Sequence, residues 1–255
     1  MNNSTKNISK WVTALSLGLM MMACSEDDET PKEGYSQVTL KSTAKSGSSS
    51  SSDISRMNVG AMSVTSFQVG TKEVEMKYVS KAEINAGISI GNGTILTNLG
   101  AELGSEVAQE KSLSLIADGK SRVEVIGEGE TPNGNYTEVI FKLYQHSEGN
   151  ASEMENKSML VMGEIEDKPT KVWLSAEKEL RAVAESSQGY EVEGNTDMTV
   201  VFDMEAIFEG VNLSTAMDGN SDGTVEIGPG NVDGNSVLYG QVENNLESAV
   251  LLSKQ

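Results

Sequence analysis

A rhythm of two constrains this 255-residue chain more than any other feature. Over and over, apolar and polar residues alternate for a short stretch and then stop at Gly, Asn or Asp. Side chains of an extended strand point to opposite faces in turn, so such alternation marks a half-buried strand. Tyr136 to Tyr144 is the clearest case: Thr137, Val139, Phe141 and Leu143 share one face, Glu138 and Lys142 the other. Tyr35 to Lys41 sets Val38 and Leu40 against Tyr35, Gln37, Thr39 and Lys41. Phe67 and Val69 have one parity and Val74, Met76 and Tyr78 the other, which predicts a bulge or turn near Gly70. Further strands are predicted at Leu113–Ala117, Arg122–Ile126, Met159–Ile165, Lys171–Leu174 and Met198–Phe202. Turn signals stand between them at Gly91-Asn92-Gly93, Asp118-Gly119 and Glu166-Asp167-Lys168-Pro169.

Many short strands without a sustained strand–helix–strand alternation predict a mainly β protein, an antiparallel β-sandwich over residues 35–210. Val139, Phe141, Leu143, Val201 and Phe202 are expected in its core. Residues 178–185 fit two patterns: Leu180, Val183 and Ala184 suit a helix, while Leu180, Ala182 and Ala184 suit a strand. Helix is expected late. Asp203 precedes Met204, Ile207 and Phe208 as a cap would. Leu238, Val242, Leu246, Ala249 and Val250 form a helical stripe, so residues 211–255 are expected to be an Asp/Asn/Gly-rich loop and a short helical extension. Ser46 to Ser52 has the composition of a flexible loop.

The N-terminus has a different grammar. Lys6 and Lys10 precede an apolar run from Trp11 to Ala23, too short for a spanning helix and suited to a removable export signal. Cys24, the only cysteine, follows directly, and Ser25-Glu26-Asp27-Asp28-Glu29 comes next. Met21-Met22-Ala23-Cys24 resembles the lipobox of bacterial lipoproteins. That resemblance implies cleavage before Cys24, a diacylglyceryl thioether on its sulfur, and a chain held to the membrane by lipid. The serine and acids that follow resemble the tag by which some Gram-negative bacteria place lipoproteins on the outer face of the outer membrane. Residues 1–23 are then a signal peptide and 24–34 an acidic tether. With one cysteine there is no internal disulfide, and packing alone must hold the fold.

Charge narrows the partners. Removing residues 1–23 takes away Lys6 and Lys10 and no acid, leaving 17 basic against 38 acidic side chains, a formal −21. Such a surface repels nucleic acid and anionic headgroups and attracts divalent cations and basic surfaces.

Candidate chemistry is sparse. His146 is the only histidine; it ends a predicted strand, and no Gly-x-Ser-x-Gly elbow accompanies it, so a strand-end histidine is the expectation. Trp173 and Tyr190 are candidates for a sugar-stacking platform, though aromatics in sandwiches mostly pack inward. The sharpest pattern is Asp218-Gly219-Asn220-Ser221-Asp222-Gly223-Thr224-Val225. It matches the first half of an EF-hand loop, with side-chain oxygens from Asp218, Asn220 and Asp222 and a backbone carbonyl from Thr224 for a structural calcium ion. The bidentate position falls on Pro229, so Glu226, Asp233 or Asn235 would have to replace it. The alternative is an Asx-rich turn, which uses the same residue types for local hydrogen bonds.

Three further places resemble one family. Phe67-Gln68-Val69 with Val74-Glu75-Met76, the entry Thr131-Pro132-Asn133-Gly134-Asn135-Tyr136-Thr137, and Val200-Val201-Phe202-Asp203 are similar to a family of uncharacterised secreted bacterial lipoprotein domains. The resemblance spans residues 35 to about 208 and implies a β-sandwich without assigned chemistry. Together these features predict a non-catalytic, lipid-anchored binding or presentation module for a glycan or protein. The alternatives are a structural subunit of a surface or pilus-like assembly and, third, a secreted hydrolase.

Overall fold

The computed structural model describes residues 34–46, 57–80, 89–90, 93–94, 99–101, 110–146 and 153–254. Cys24, the acidic run after it and most of the Ser-rich stretch lie outside the described residues.

Strand β1 (Tyr35–Lys45) opens the domain, and β2 (Met57–Val59) leads into the 19-residue β3 (Met62–Ser80). Three short strands follow: β4 (Ser89–Ile90), β5 (Gly93–Thr94) and β6 (Leu99–Ala101). Then come β7 (Lys111–Ala117), β8 (Lys120–Ser121), β9 (Val123–Pro132), β10 (Gly134–Leu143), β11 (Met159–Ile165) and β12 (Lys168–Leu174). After β13 (Glu179–Ala184), β14 (Tyr190–Val192) and β15 (Thr196–Asp203) the chain turns into helix α1 (Met204–Ile207). It closes with β16 (Val225–Ile227), helix α2 (Ser236–Asn245) and β17 (Val250–Lys254). The protein is mainly β, as its alternation predicts.

One sheet carries the order β16-β12-β11-β3-β10-β13-β17-β15-β1-β9, with β2, β6 and β7 on the other edge of β3. It is folded over on itself. Phe67 on β3 and Phe202 on β15 are four strands apart in that order, about 19 Å along a flat sheet at the usual spacing. Their ring centroids are 5.5 Å apart, edge to face, and Phe141 on β10 lies 6.1 Å from Phe202. Two layers therefore face each other across these rings, as in a sandwich. All five residues expected to be buried are buried, though Val201 lies on the outer face of β15 while its neighbour Phe202 enters the core.

Most pairs are antiparallel, as the sequence pattern predicts, but the sheet is mixed. β1 with β15, β12 with β16 and β13 with β17 run parallel. Alternation reports burial of a face and is blind to strand direction.

Two phase changes are bulges. On β10 the register passes from Tyr136 opposite Tyr78 to Glu138 opposite Lys77, leaving Thr137 as the extra residue. Parity flips there, so Tyr136 points inward, fully buried, and Thr137 does not join Val139 on the core face as predicted. On β3 the change falls at Glu73, with φ 50°, three residues past the expected Gly70. Gly70 is instead a point of close approach, because a Cβ there would run into the Tyr144 carbonyl oxygen.

The turn signals hold. Asp118-Gly119 and Glu166-Asp167 both have positive φ and close two-residue hairpins, β7 to β8 and β11 to β12. Ser89–Ile90 pairs antiparallel with Gly93–Thr94, the hairpin expected there, while Gly91 and Asn92 are outside the described residues. The ambiguous segment 178–185 resolves as strand over Glu179–Ala184, with Leu180, Ala182 and Ala184 inward. Asp203 caps α1, its Oδ1 accepting the amides of Glu205 and Ala206 at 3.1 and 3.2 Å. The C-terminal helical stripe is a correction in part. Leu238 and Val242 are the buried face of α2, but the helix stops at Asn245, and Val250 to Lys254 form an interior strand of the sheet.

Candidate functional site

The residues predicted to hold an ion come together in one turn beyond α1. Asp218 Oδ1 accepts the Asp222 amide at 3.2 Å and its Oδ2 the Gly223 amide at 3.0 Å. Asn220 Oδ1 accepts the Asp222 amide at 2.8 Å, and Asp222 Oδ1 accepts the Thr224 amide at 2.8 Å. Asn220 Nδ2 donates to Asp222 Oδ2 at 3.0 Å. Short polar side chains capturing amides two to five residues on are how Asx-rich turns hold themselves.

A second layer fixes this turn to the fold. Asp233 is 9% exposed with φ 52°, and its Oδ1 accepts the Asn220 amide at 3.2 Å while Oδ2 accepts the Glu226 amide at 2.9 Å. Asn235 is 4% exposed; its Oδ1 accepts the Met217 amide at 3.0 Å. Its Nδ2 donates to the carbonyls of Met217 and Glu226, both at 2.8 Å. Both ends of the loop thus hang on two buried polar side chains. Gly219 makes the approach possible: a Cβ there would lie 2.6 Å from the Asp233 carbonyl oxygen. From the sequence, Asp233 and Asn235 are only stand-ins for a missing ligand. The signal for their role is Asp233-Gly234 and Asn235 just before α2, residue types that tolerate or favour positive φ.

Of the three possible replacements at the Pro229 position, the structure turns Asp233 and Asn235 toward the loop, each already bonded to backbone. Among the described residues no group of three or more His, Cys, Asp or Glu is arranged to hold a metal ion. The loop is closed by its own amides before any ion is considered.

The other candidates are placed as follows. Trp173 lies half-buried on β12: a Cβ on Gly228 would collide with Cε2 and Cζ2, and Lys157 Nζ stands 5.9 Å from the ring centroid. Tyr190 packs partly buried against the core. His146 is half-buried beside Tyr144, ring centroids 4.9 Å apart, and its Nε2 is enclosed with no hydrogen-bond partner among the described residues. That enclosure pushes its pKa down, opposed by the charge of Glu110.

The outer face of the folded sheet carries a row of aligned residues. Across β13, β17, β15, β1 and β9, Val183, Leu251, Val201, Thr43 and Val123 stand opposite one another in register. Val183 and Val123 at the ends of that row are 50% and 56% exposed. Ion pairs flank it: Lys41 with Asp197, Lys45 with Asp203 at 3.7 Å, and Arg181 with Glu179 at 3.0 Å. Between the two ends of the row Val201 is 8% exposed and the Thr43 hydroxyl donates to the Arg122 carbonyl at 2.8 Å.

No family model, curated protein or solved structure matches this chain.

Proposed function

We propose that this protein is a lipid-anchored, non-catalytic module of the outer membrane, facing the cell exterior, that binds or presents a glycan or protein ligand. The observation that carries the reading is Cys24, placed between an apolar run with a basic start and an acidic stretch. A mainly β domain follows it, and the Val183-to-Val123 row is the surface such a domain would offer to a ligand. No described helix is long and apolar enough to cross a membrane. Two or more acyl chains would hold the chain firmly, since each buried methylene contributes roughly 0.8 kcal/mol. Cell fractionation tests the anchor: wild type is expected with the outer membrane, and Cys24→Ala is expected unprocessed or released from lipid. A wild-type protein found soluble and unlipidated would overturn the proposal.

Calcium is proposed as a structural ion of the 217–235 loop, with Asp218, Asn220, Asp222 and the Thr224 carbonyl as its ligands. Convergence of the three side chains in one turn, with Asp233 beside it, supports that reading. An ion that binds only the folded state raises the unfolding midpoint. Calorimetry at millimolar calcium and in EDTA, on wild type and Asp218→Ala/Asp222→Ala, reads this directly. A wild-type midpoint that is the same in calcium and in EDTA would overturn the calcium reading and leave the segment as an Asx-rich turn, whose loss lowers the midpoint of the double variant equally in both.

A further inference from the structure

β17 is the last described element of the chain and also an interior strand. It pairs antiparallel with β15 from Met198 to Phe202, and parallel with β13 at only two positions, Val183 opposite Leu251 and Ala184 opposite Leu252. Val250 and Leu252 reach the core and are buried; Leu251 and Ser253 point to the outer face. At its end Lys254 Nζ donates to the Glu191 carbonyl. Withdrawing β17 would split the sheet between β13 and β15. The groove left behind would be walled by the unpaired backbone groups of two strands and floored by apolar core, a site that selects an extended segment with apolar residues at its first and third positions.

What holds β17 in its own groove is the connector Leu246–Ala249. This is a tight turn, with the Ser248 amide on the Asn245 carbonyl at 3.1 Å and the Ala249 amide on the Leu246 carbonyl at 3.3 Å. A strand on a short connector, filling an interior gap, is the arrangement in which identical copies can exchange elements. The exchanged pair makes the same core contacts and the same ladder as the closed chain, so only the connector and the protein concentration decide between them.

We propose that the groove between β13 and β15 is a strand-acceptor site, and that its partner is β17 of a second copy of this chain. Val250 and Leu252 of the donor fill the core positions, and Lys254 sets the register at Glu191. Such exchange needs no lipid anchor. It gives the alternative reading, a subunit of a surface assembly, a physical joint.

The test uses the chain from residue 24 onward with Cys24→Ser, so that every thiol is an introduced one. Val201 and Leu251 are directly opposed across β15 and β17 on the outer face. Opposed residues of an antiparallel pair have Cβ atoms about 4.5–5.5 Å apart, close enough for a disulfide after small adjustment. One preparation carries Val201→Cys and another Leu251→Cys. The two are mixed, unfolded, refolded together at high concentration and oxidised. Exchange predicts a disulfide-linked heterodimer about tenfold above that formed by Val201→Cys with Val237→Cys, a control thiol on the exposed N-terminal turn of α2. Adding Leu252→Asp to the donor should abolish the excess. Equal yields in the test and control mixtures would overturn the proposal. Val201→Cys/Leu251→Cys in a single chain guards against misfolding: an internal disulfide there, with no excess in the mixture, means that β17 stays home. If neither forms, the β15–β17 register itself is refuted and the proposal with it.

Discussion

Asp233 is the residue whose replacement tests the loop most sharply. Its carboxylate serves two backbone amides from two segments, Asn220 and Glu226, and its own backbone is left-handed at φ 52°. Hydrogen bonds to a charged group contribute about 1.5–3 kcal/mol each; the partial burial of these two argues for the lower figure, about 3 kcal/mol for the pair. A residue with a Cβ but no local hydrogen bond adds about 1 kcal/mol in the left-handed region. Asp233→Ala should therefore cost about 4 kcal/mol and Asp233→Gly, free of the backbone term, about 3 kcal/mol. Asp233→Asn keeps one acceptor and tolerates positive φ, so it should cost about half as much as Gly. At about 2–4 °C per kcal/mol for a domain of this size, the alanine variant should lose about 8–16 °C of midpoint. Urea denaturation and calorimetry of the chain from residue 24 onward would read the series. An alanine variant within about 1 kcal/mol of wild type, or an asparagine variant as damaged as alanine, would refute the bond-by-bond account.

Three other outcomes follow from the same geometry. Gly228→Ala should destabilise by about 1–3 kcal/mol through overpacking, because the new methyl meets the rigid Trp173 ring while φ −155° is open to any residue. The penalty should vanish in a Trp173→Ala background, which a double-mutant cycle checks. Tyr136→Phe removes the donor to the Pro132 carbonyl at 2.8 Å and the bond to the buried Thr131 hydroxyl; about 1–3 kcal/mol should be lost, read by urea titration. His146 is held below the ordinary histidine range by burial, so the unfolded chain takes up its proton first as pH falls. Its contribution is fully present above about pH 6.5 and is lost as pH drops below that value, and His146→Phe should flatten stability between about pH 7 and 5.

The strands are legible in the sequence because burial on one face writes itself into alternate positions. Val38, Leu40, Val139, Phe141 and Leu143 are inward for that reason. Thr137 departs from its predicted face because a single extra residue flips the parity of everything before it, and nothing in Tyr136-Thr137-Glu138 announces the bulge. Parallel pairing is illegible because direction is set by partners far along the chain. Val250 reads as helix because Leu246, Ala249 and Val250 keep helical spacing through the turn. A short apolar run satisfies both periods, and the open ladder positions of β13 and β15 decide for strand. In the loop, the ligand-like spacing of Asp218, Asn220 and Asp222 is visible in the sequence. Asp233 and Asn235 are visible there only as possible stand-in ligands; their part in tying the loop down is not, because they act on amides 13 and 18 residues away.

The central claim is where the chain is held. Mass spectrometry of the N-terminal peptide from membrane-extracted protein tests that most directly. The lipid-anchor account predicts a mature chain that begins at Cys24, with residues 1–23 gone and the mass of a diacylglyceryl group on its sulfur. An N-terminal peptide that retains residues before Cys24, or begins after it, or carries a free thiol there, would contradict it.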